Sequence, residues 1–187
     1  MALGAFGVGW FPLHTQVLDW PVVHFAQTDN LGLALSRSLV VVGAALLLHA
    51  WLVLGADTLH HRVHDVRTVQ RVLASWCVPL LCAPPLFSRD VYSYYMQGRV
   101  LAEGGNPYLT GVSVVPGWFT SGVDPMWAQS AVPYGPGWLA IERAVAHLVG
   151  DWPLGGVLLF RIIAAACVAI TAWCVVDIAS TLGRDAR

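Results

Sequence analysis

A chain of 187 residues with 57% hydrophobic side chains, 11% charged ones, nine tryptophans and no lysine carries about half the charge that solvates an ordinary soluble domain. Its net charge of −1 leaves no basic excess to hold a phosphate backbone. These values exclude a typical water-soluble enzyme, a nucleic-acid binder and a disordered chain, and a mean hydropathy of +0.63 points to the bilayer instead.

In chain order, Met1 opens into LGAFGVGWFP, too short to span and without the basic flank of a signal peptide. It reads as the tail of a helix, and the chain is expected to be an N-terminal portion of something longer. A spanning helix needs roughly 20 apolar residues, which predicts crossings at 38–56 and 154–182. A third is expected at 71–87, unwinding at Pro84-Pro85, and a weaker one at 137–150, where Glu142 and Arg143 stand side by side. Cys77, Cys82, Cys167 and Cys174 lie in apolar stretches and read as buried thiols. Short cytoplasmic loops hold excess positive charge, which puts Arg62, Arg67, Arg71, Arg184 and Arg187 inside and the segment 88–136 outside. Arg161 interrupts the last apolar run; an intramembrane arginine faces a cavity or a carboxylate, and Glu142 is its expected partner.

All five tyrosines, Tyr92, Tyr94, Tyr95, Tyr108 and Tyr134, fall in the segment 88–136, with Trp118, Phe119 and Trp127, and with Trp138 at its edge. Two readings compete: an aromatic belt at headgroup depth, or a carbohydrate or lipid-headgroup site where ring faces stack on sugar C–H groups. The order SRDVYSYYMQGRVLAEGG predicts an interfacial helix of about fourteen residues, capped by Ser88, starting at Arg89 and ending at Glu103-Gly104-Gly105. On it Asp90, Tyr94 and Gln97 share one face, and Tyr92, Tyr95 and Arg99 the adjacent one. Asp90 is either a capping anion at the positive helix end or a working carboxylate. Asp124 before Pro125, Asn106-Pro107 and 133–136 read as rigid turns. His60, His61 and His64 have a metal-compatible spacing in a poor electrostatic setting. No P-loop, dinucleotide, HExxH or G-x-S-x-G pattern is present.

In the order S-R-D-V-Y-S-Y, G-x-N-P-Y and P-Y-G-P, the sequence resembles the polyprenol-phosphomannose-dependent α-1,6-mannosyltransferases of actinobacteria, which are C-type glycosyltransferases. The resemblance runs through most of the chain. It implies an all-α, polytopic integral membrane protein of the plasma membrane, with its active site on the extracytoplasmic face. The implied donor is a polyprenyl monophosphate mannose and the implied acceptor a lipid-anchored α-1,6-mannan, with membrane lipids as further partners and no nucleic acid. Carried over by position, the family's acidic residue falls on Asp90, the candidate general base for an inverting transfer. Arg89 and Arg99 are candidates to meet the leaving phosphate, and Tyr94, Tyr134 and Trp138 to bind sugar. No metal-ligand set is assigned; Arg89-Asp90 stands where many such enzymes carry two acidic residues, which leaves a divalent cation as an open cofactor question. The competing classes are a non-catalytic membrane scaffold, a lipid-linked sugar transporter and an inactive fragment.

Overall fold

The computed structural model describes residues 1–60 and 65–183. His61 and His64 of the histidine cluster, Arg62 of the basic connection, and Arg184 and Arg187 of the basic tail lie outside the described residues. Within them the chain is helical, without strands: α1 (Ala2–Val8), α2 (Pro21–Thr28), α3 (Asn30–Leu59), α4 (Val66–Leu81), α5 (Asp90–Ala102), α6 (Pro136–Val149) and α7 (Pro153–Thr181), with short 3-10 turns between. The sequence reading assigned no helix to α2.

Two of these helices, α3 with 30 residues and α7 with 29, are long and apolar enough to cross a membrane. Both are apolar all round and bury almost none of that surface within the protein, a pattern that requires lipid or another protein around them. The α3 helix starts earlier than expected because Asp29 caps it, accepting from the Leu31 and Gly32 amides at 2.8 and 3.4 Å. The α4 helix also starts early, at an Asp65 cap, tolerates Pro79 inside, and ends before Pro84-Pro85. The α6 helix has 14 residues, about 21 Å at 1.5 Å per residue, below the roughly 30 Å of a hydrocarbon core. It lies along α5 instead.

The core sits around α5. Tyr92, Tyr95, Met96 and Val100 of this helix pack with Val112, Val115 and Val123 of the following segment, Val145 and Ala146 of α6, and Val157 and Phe160 of α7. The helix expected to lie at the interface is therefore mostly enclosed by protein, and Tyr92 and Tyr95, at 0% and 1% exposure, are core residues rather than belt residues. Their hydroxyls find carbonyls: Tyr92 donates to Trp10 at 2.8 Å and Tyr95 to Gly150 at 2.5 Å. The helix ends as its sequence dictates. Gly104, at φ +82°, takes the left-handed position, and the Gly105 and Gly104 amides bond back to Val100 and Leu101 at 2.8 and 3.2 Å, a paired closure that satisfies the last carbonyls.

Contact between α5 and α6 depends on Gly98. A Cβ there would lie 2.1 Å from the Glu142 carbonyl oxygen, so the two backbones touch and no rotamer relieves a larger residue. Gly98→Ala is expected to destabilise the protein by about 2 kcal/mol, the ordinary cost of overpacking, read as a lowered thermal midpoint in detergent. An unchanged midpoint would mean that α5 and α6 separate freely.

The four cysteines correct the sequence reading. All are free; Cys82 and Cys167 are exposed, and Cys77 and Cys174 half-buried. They sit on outward sides of α4 and α7 and at the end of α4, so apolar neighbours in sequence there signal an apolar surface rather than a protein core.

Candidate active site

Asp90 is the first residue of α5. Its amide donates to the Ser88 hydroxyl at 3.0 Å; the helix begins one residue later than predicted, so the N-cap position falls on Arg89, which makes no side-chain cap bond, and Ser88 precedes it. Carboxylate oxygen Oδ1 accepts the Trp127 indole N–H at 2.8 Å. The positive end of α5 and this indole together hold a negative charge in place.

The carboxylate opens on a cleft of about 270 Å³ lined by Asp90, Ser93, Tyr94 and Gln97 from α5 and by Trp127, Ser130, Pro133 and Tyr134 from the segment before α6. The face predicted from helical spacing is thus the face that lines the cleft. Ser93 and Gln97 are 3% and 7% exposed, yet the Ser93 hydroxyl and the Gln97 carbonyl oxygen have no hydrogen-bond partner in the protein. Burying such groups unpaired costs about 1–3 kcal/mol each, and both line a cavity.

Tyr94 is the rear wall. Its ring packs edge-on against Tyr134, Trp138 and Phe160, with centroids 5.5, 5.8 and 6.1 Å apart, and the Tyr134 hydroxyl reaches the Tyr94 hydroxyl at 3.5 Å. Burial first, then the bond to Tyr134, pushes the Tyr94 hydroxyl well above the usual phenol range, so it stays a neutral donor. The Tyr108 hydroxyl donates to the Tyr134 carbonyl at 2.9 Å and pins that wall. Trp138 stands behind Tyr94 and does not line the cleft.

Neither expected phosphate ligand reaches the cleft. Arg89 donates through Nε and Nη2 to one oxygen of Asp124, at 3.3 and 2.9 Å, with its guanidinium 4.3 Å from the centre of the Trp10 ring. Helix geometry separates adjacent residues by about 100°, which turns Arg89 away from Asp90. Asp124 combines this pair with the expected turn, accepting the Met126 amide at 3.0 Å; that amide, then Arg89, holds its carboxyl below the usual range. Arg99 points to the far side of α5, where it pairs with Asp151, with Glu103 at 3.2 Å, and with the Gly150 carbonyl at 3.3 Å.

Glu142 and Arg161 do not meet. Arg161 Nη1 donates to the Leu81 carbonyl at 3.1 Å, while Glu142 is 0% exposed and neither of its oxygens has a hydrogen-bond partner. Glu142 lies inside the α5–α6 contact and Arg161 against the end of α4, so the two face different neighbours. Burial lifts the Glu142 carboxyl to about 8; the Trp138 indole lies near enough to lower it in part, but short of hydrogen-bond geometry.

Among the described residues no group of three His, Cys, Asp or Glu side chains comes together. The cleft offers one carboxylate, Asp90; a hard cation such as Mg²⁺ is held by one or two carboxylates together with substrate phosphate and water, so Asp90 is the residue here that would hold one.

Sequence comparison bears on the whole chain. It is 35% identical over 192 residues to alpha-(1->6)-mannopyranosyltransferase A of Corynebacterium glutamicum, covering 99% of this chain and 39% of the relative. Against alpha-(1->6)-mannopyranosyltransferase A of Mycobacterium tuberculosis the identity is 32% over 180 residues, 96% of this chain and 34% of the relative. Against alpha-(1->6)-mannopyranosyltransferase B of C. glutamicum it is 30%, covering 96% and 31%. The chain thus spans between 31% and 39% of the length of these relatives. No solved structure matches. The family model described as alpha-(1->6)-mannopyranosyltransferase, N-terminal domain, matches residues 1–187, and the chain belongs to that family.

Proposed function

We propose that this protein transfers mannose from a polyprenyl monophosphate mannose donor to a growing α-1,6-mannan on a lipid anchor, at the outer face of the plasma membrane, with inversion at the anomeric carbon. The observation that carries this reading is the cleft at Asp90, where a carboxylate lies beside two buried, unmet polar groups and an aromatic wall. Asp90 accepts the proton of the attacking mannose hydroxyl; that oxygen bonds to the donor's anomeric carbon, and the C–O bond to phosphate breaks with its electron pair going to the phosphate. Ser93, Gln97, Tyr94 and Tyr134 supply hydroxyl and amide contacts to the sugar ring.

Charge supports the same reading. Arg67 and Arg71 stand at the start of α4, positive charge of the kind that marks a cytoplasmic side, and the reading places Asp90 at the opposite face. The donor phosphate also has a candidate cation other than Arg89 and Arg99. Arg161 lies in the wall of a mainly apolar groove of about 360 Å³, bounded by Leu80, Leu81, Pro84, Phe87, Ala164 and Val168. Its single hydrogen bond to Leu81 leaves most of its five N–H donors free, and the apolar walls suit a polyprenyl chain.

The test is mannose transfer in vitro, using membranes that contain the protein as the cell encodes it, radiolabelled polyprenyl phosphate mannose and a short α-1,6-mannoside. A product cleaved by an α-1,6-specific mannosidase is expected. Labelled product from a nucleotide-sugar donor alone, or none from the lipid donor, would overturn the reading. Arg161→Met is expected to raise the KM for the lipid donor about tenfold or more, the loss of a charge-assisted contact, with the acceptor KM unchanged.

A further inference from the structure

A larger cleft lies on the other side of α5 from Asp90. It measures about 550 Å³, within the range that encloses small ligands, and lies between residues 12–17, Thr120-Ser121 and residues 151–154. Its walls are fixed to the same scaffold as the Asp90 cleft. The Leu13 amide donates to the Thr120 carbonyl at 2.9 Å and the Trp10 amide to the Pro85 carbonyl at 2.8 Å, while Tyr92 holds the Trp10 carbonyl. On the opposite wall Arg99 holds Asp151 and Tyr95 holds the Gly150 carbonyl. Trp152 is seated against Gly155, where a Cβ would meet its ring at 2.3 Å, and the ring remains 59% exposed.

The polar lining faces solvent, with His14 and Gln16 exposed and the Asp151 side chain 90% exposed. Among the described residues no protein group hydrogen-bonds the side chains of His14, Gln16 or Ser121. Asp151 keeps acceptor capacity while Arg99 balances its charge. A neutral cleft does not suit a phosphate, whereas a fixed ring face beside a carboxylate, an amide, an imidazole and a hydroxyl suits a neutral polyhydroxylated chain, with donors and acceptors alternating around it. The two clefts also share a composition: carboxylate, tryptophan, glutamine and serine occur as Asp90, Trp127, Gln97 and Ser93 in one, and as Asp151, Trp152, Gln16 and Ser121 in the other. Asp90 and Arg99, the residue that holds Asp151, stand about 14 Å apart along α5 at 1.5 Å per residue.

We infer that this cleft is a second saccharide subsite, which holds mannose residues of the acceptor already laid down while its end is extended at Asp90. The inference rests on the proposed transfer reaction for its role, but binding is measurable without catalysis. The probe is an unlabelled α-1,6-mannotetraose added to the purified full protein, followed by saturation-transfer NMR. Binding is expected to weaken about tenfold in His14→Ala/Gln16→Ala and in Trp152→Ala, the loss of one or two hydrogen bonds or of a ring contact. Mannose alone should bind equally to all three proteins. In the transfer assay the same variants should raise the KM for the tetramer but not for a monosaccharide acceptor, with kcat on the short acceptor unchanged. The inference is overturned if tetramer binding is unaffected in both variants, or if short and long acceptors suffer alike. Absence of transfer by the unaltered protein, with tetramer binding intact and sensitive to His14 and Gln16, would defeat the proposed reaction and keep the subsite.

Discussion

Asp90→Asn is expected to lower mannose transfer by a factor of about 10² to 10⁴, the usual contribution of a positioned general base, while leaving the protein inserted and folded. The substitution is clean because of the local geometry. The Ser88 hydroxyl bonds the residue-90 amide and not its side chain, so that bond survives. The Trp127 indole donates to one oxygen of the carboxylate, and an asparagine oxygen accepts the same bond. What disappears is the negative charge and its capacity to take a proton. Donor and acceptor KM are expected to change little, since Ser93, Gln97 and Tyr94 remain in place. Transfer at near-normal rate in Asp90→Asn would remove Asp90 from the base role, and a large rise in KM with unchanged kcat would make it a binding group instead.

Much of this site is legible in the sequence because helical periodicity is a local property. Asp90, Tyr94 and Gln97 recur at the spacing of one helix face, and the same arithmetic places Ser93 beside them. Ser88 and Gly104 mark the two ends of that helix by their own chemistry, one as a side-chain acceptor and one as a residue free to adopt positive φ. Trp127 was not legible: it lies 37 residues from Asp90, and only the turns at Asn106-Pro107 and Asp124-Pro125 bring it back. The fates of Arg89 and Arg99 were equally non-local. Each has a carboxylate partner more than thirty residues away, and charge alone did not say which anion each would meet.

The same limit explains α5 and α6. Tyrosine and tryptophan suit a membrane interface and a protein interior for the same reason, a large apolar body with one polar group, so composition could not decide between a belt and a core. Packing decides it, since Tyr92 and Tyr95 bury their rings and spend their hydroxyls on carbonyls. Likewise an apolar stretch of fourteen residues reads as a short crossing until Gly98 shows α6 pressed along α5.

Glu142 leads to the second large effect. The carboxyl is 0% exposed, has no hydrogen-bond partner, and is lifted by burial to about 8. Below the ordinary glutamate range it is protonated in both folded and unfolded chains and contributes nothing to pH dependence. As pH rises from about 4.5 towards 8 the unfolded chain ionises while the folded one holds its proton, so folding loses about 1.4 kcal/mol per unit. The penalty reaches about 3 kcal/mol at pH 7 and levels off above pH 8. In Glu142→Gln the dependence vanishes because the amide does not titrate over this range. The thermal midpoint of the unaltered protein in detergent should therefore fall between pH 5 and 8, and that of Glu142→Gln should stay level, the two diverging by about 5–10 °C. A neutral Glu142 also keeps negative charge away from Tyr94, whose hydroxyl already faces the Asp90 charge. Parallel pH profiles for the two proteins would show that the carboxyl is ionised and partnered in the folded protein, and would place its charge in the electrostatics of the Asp90 cleft.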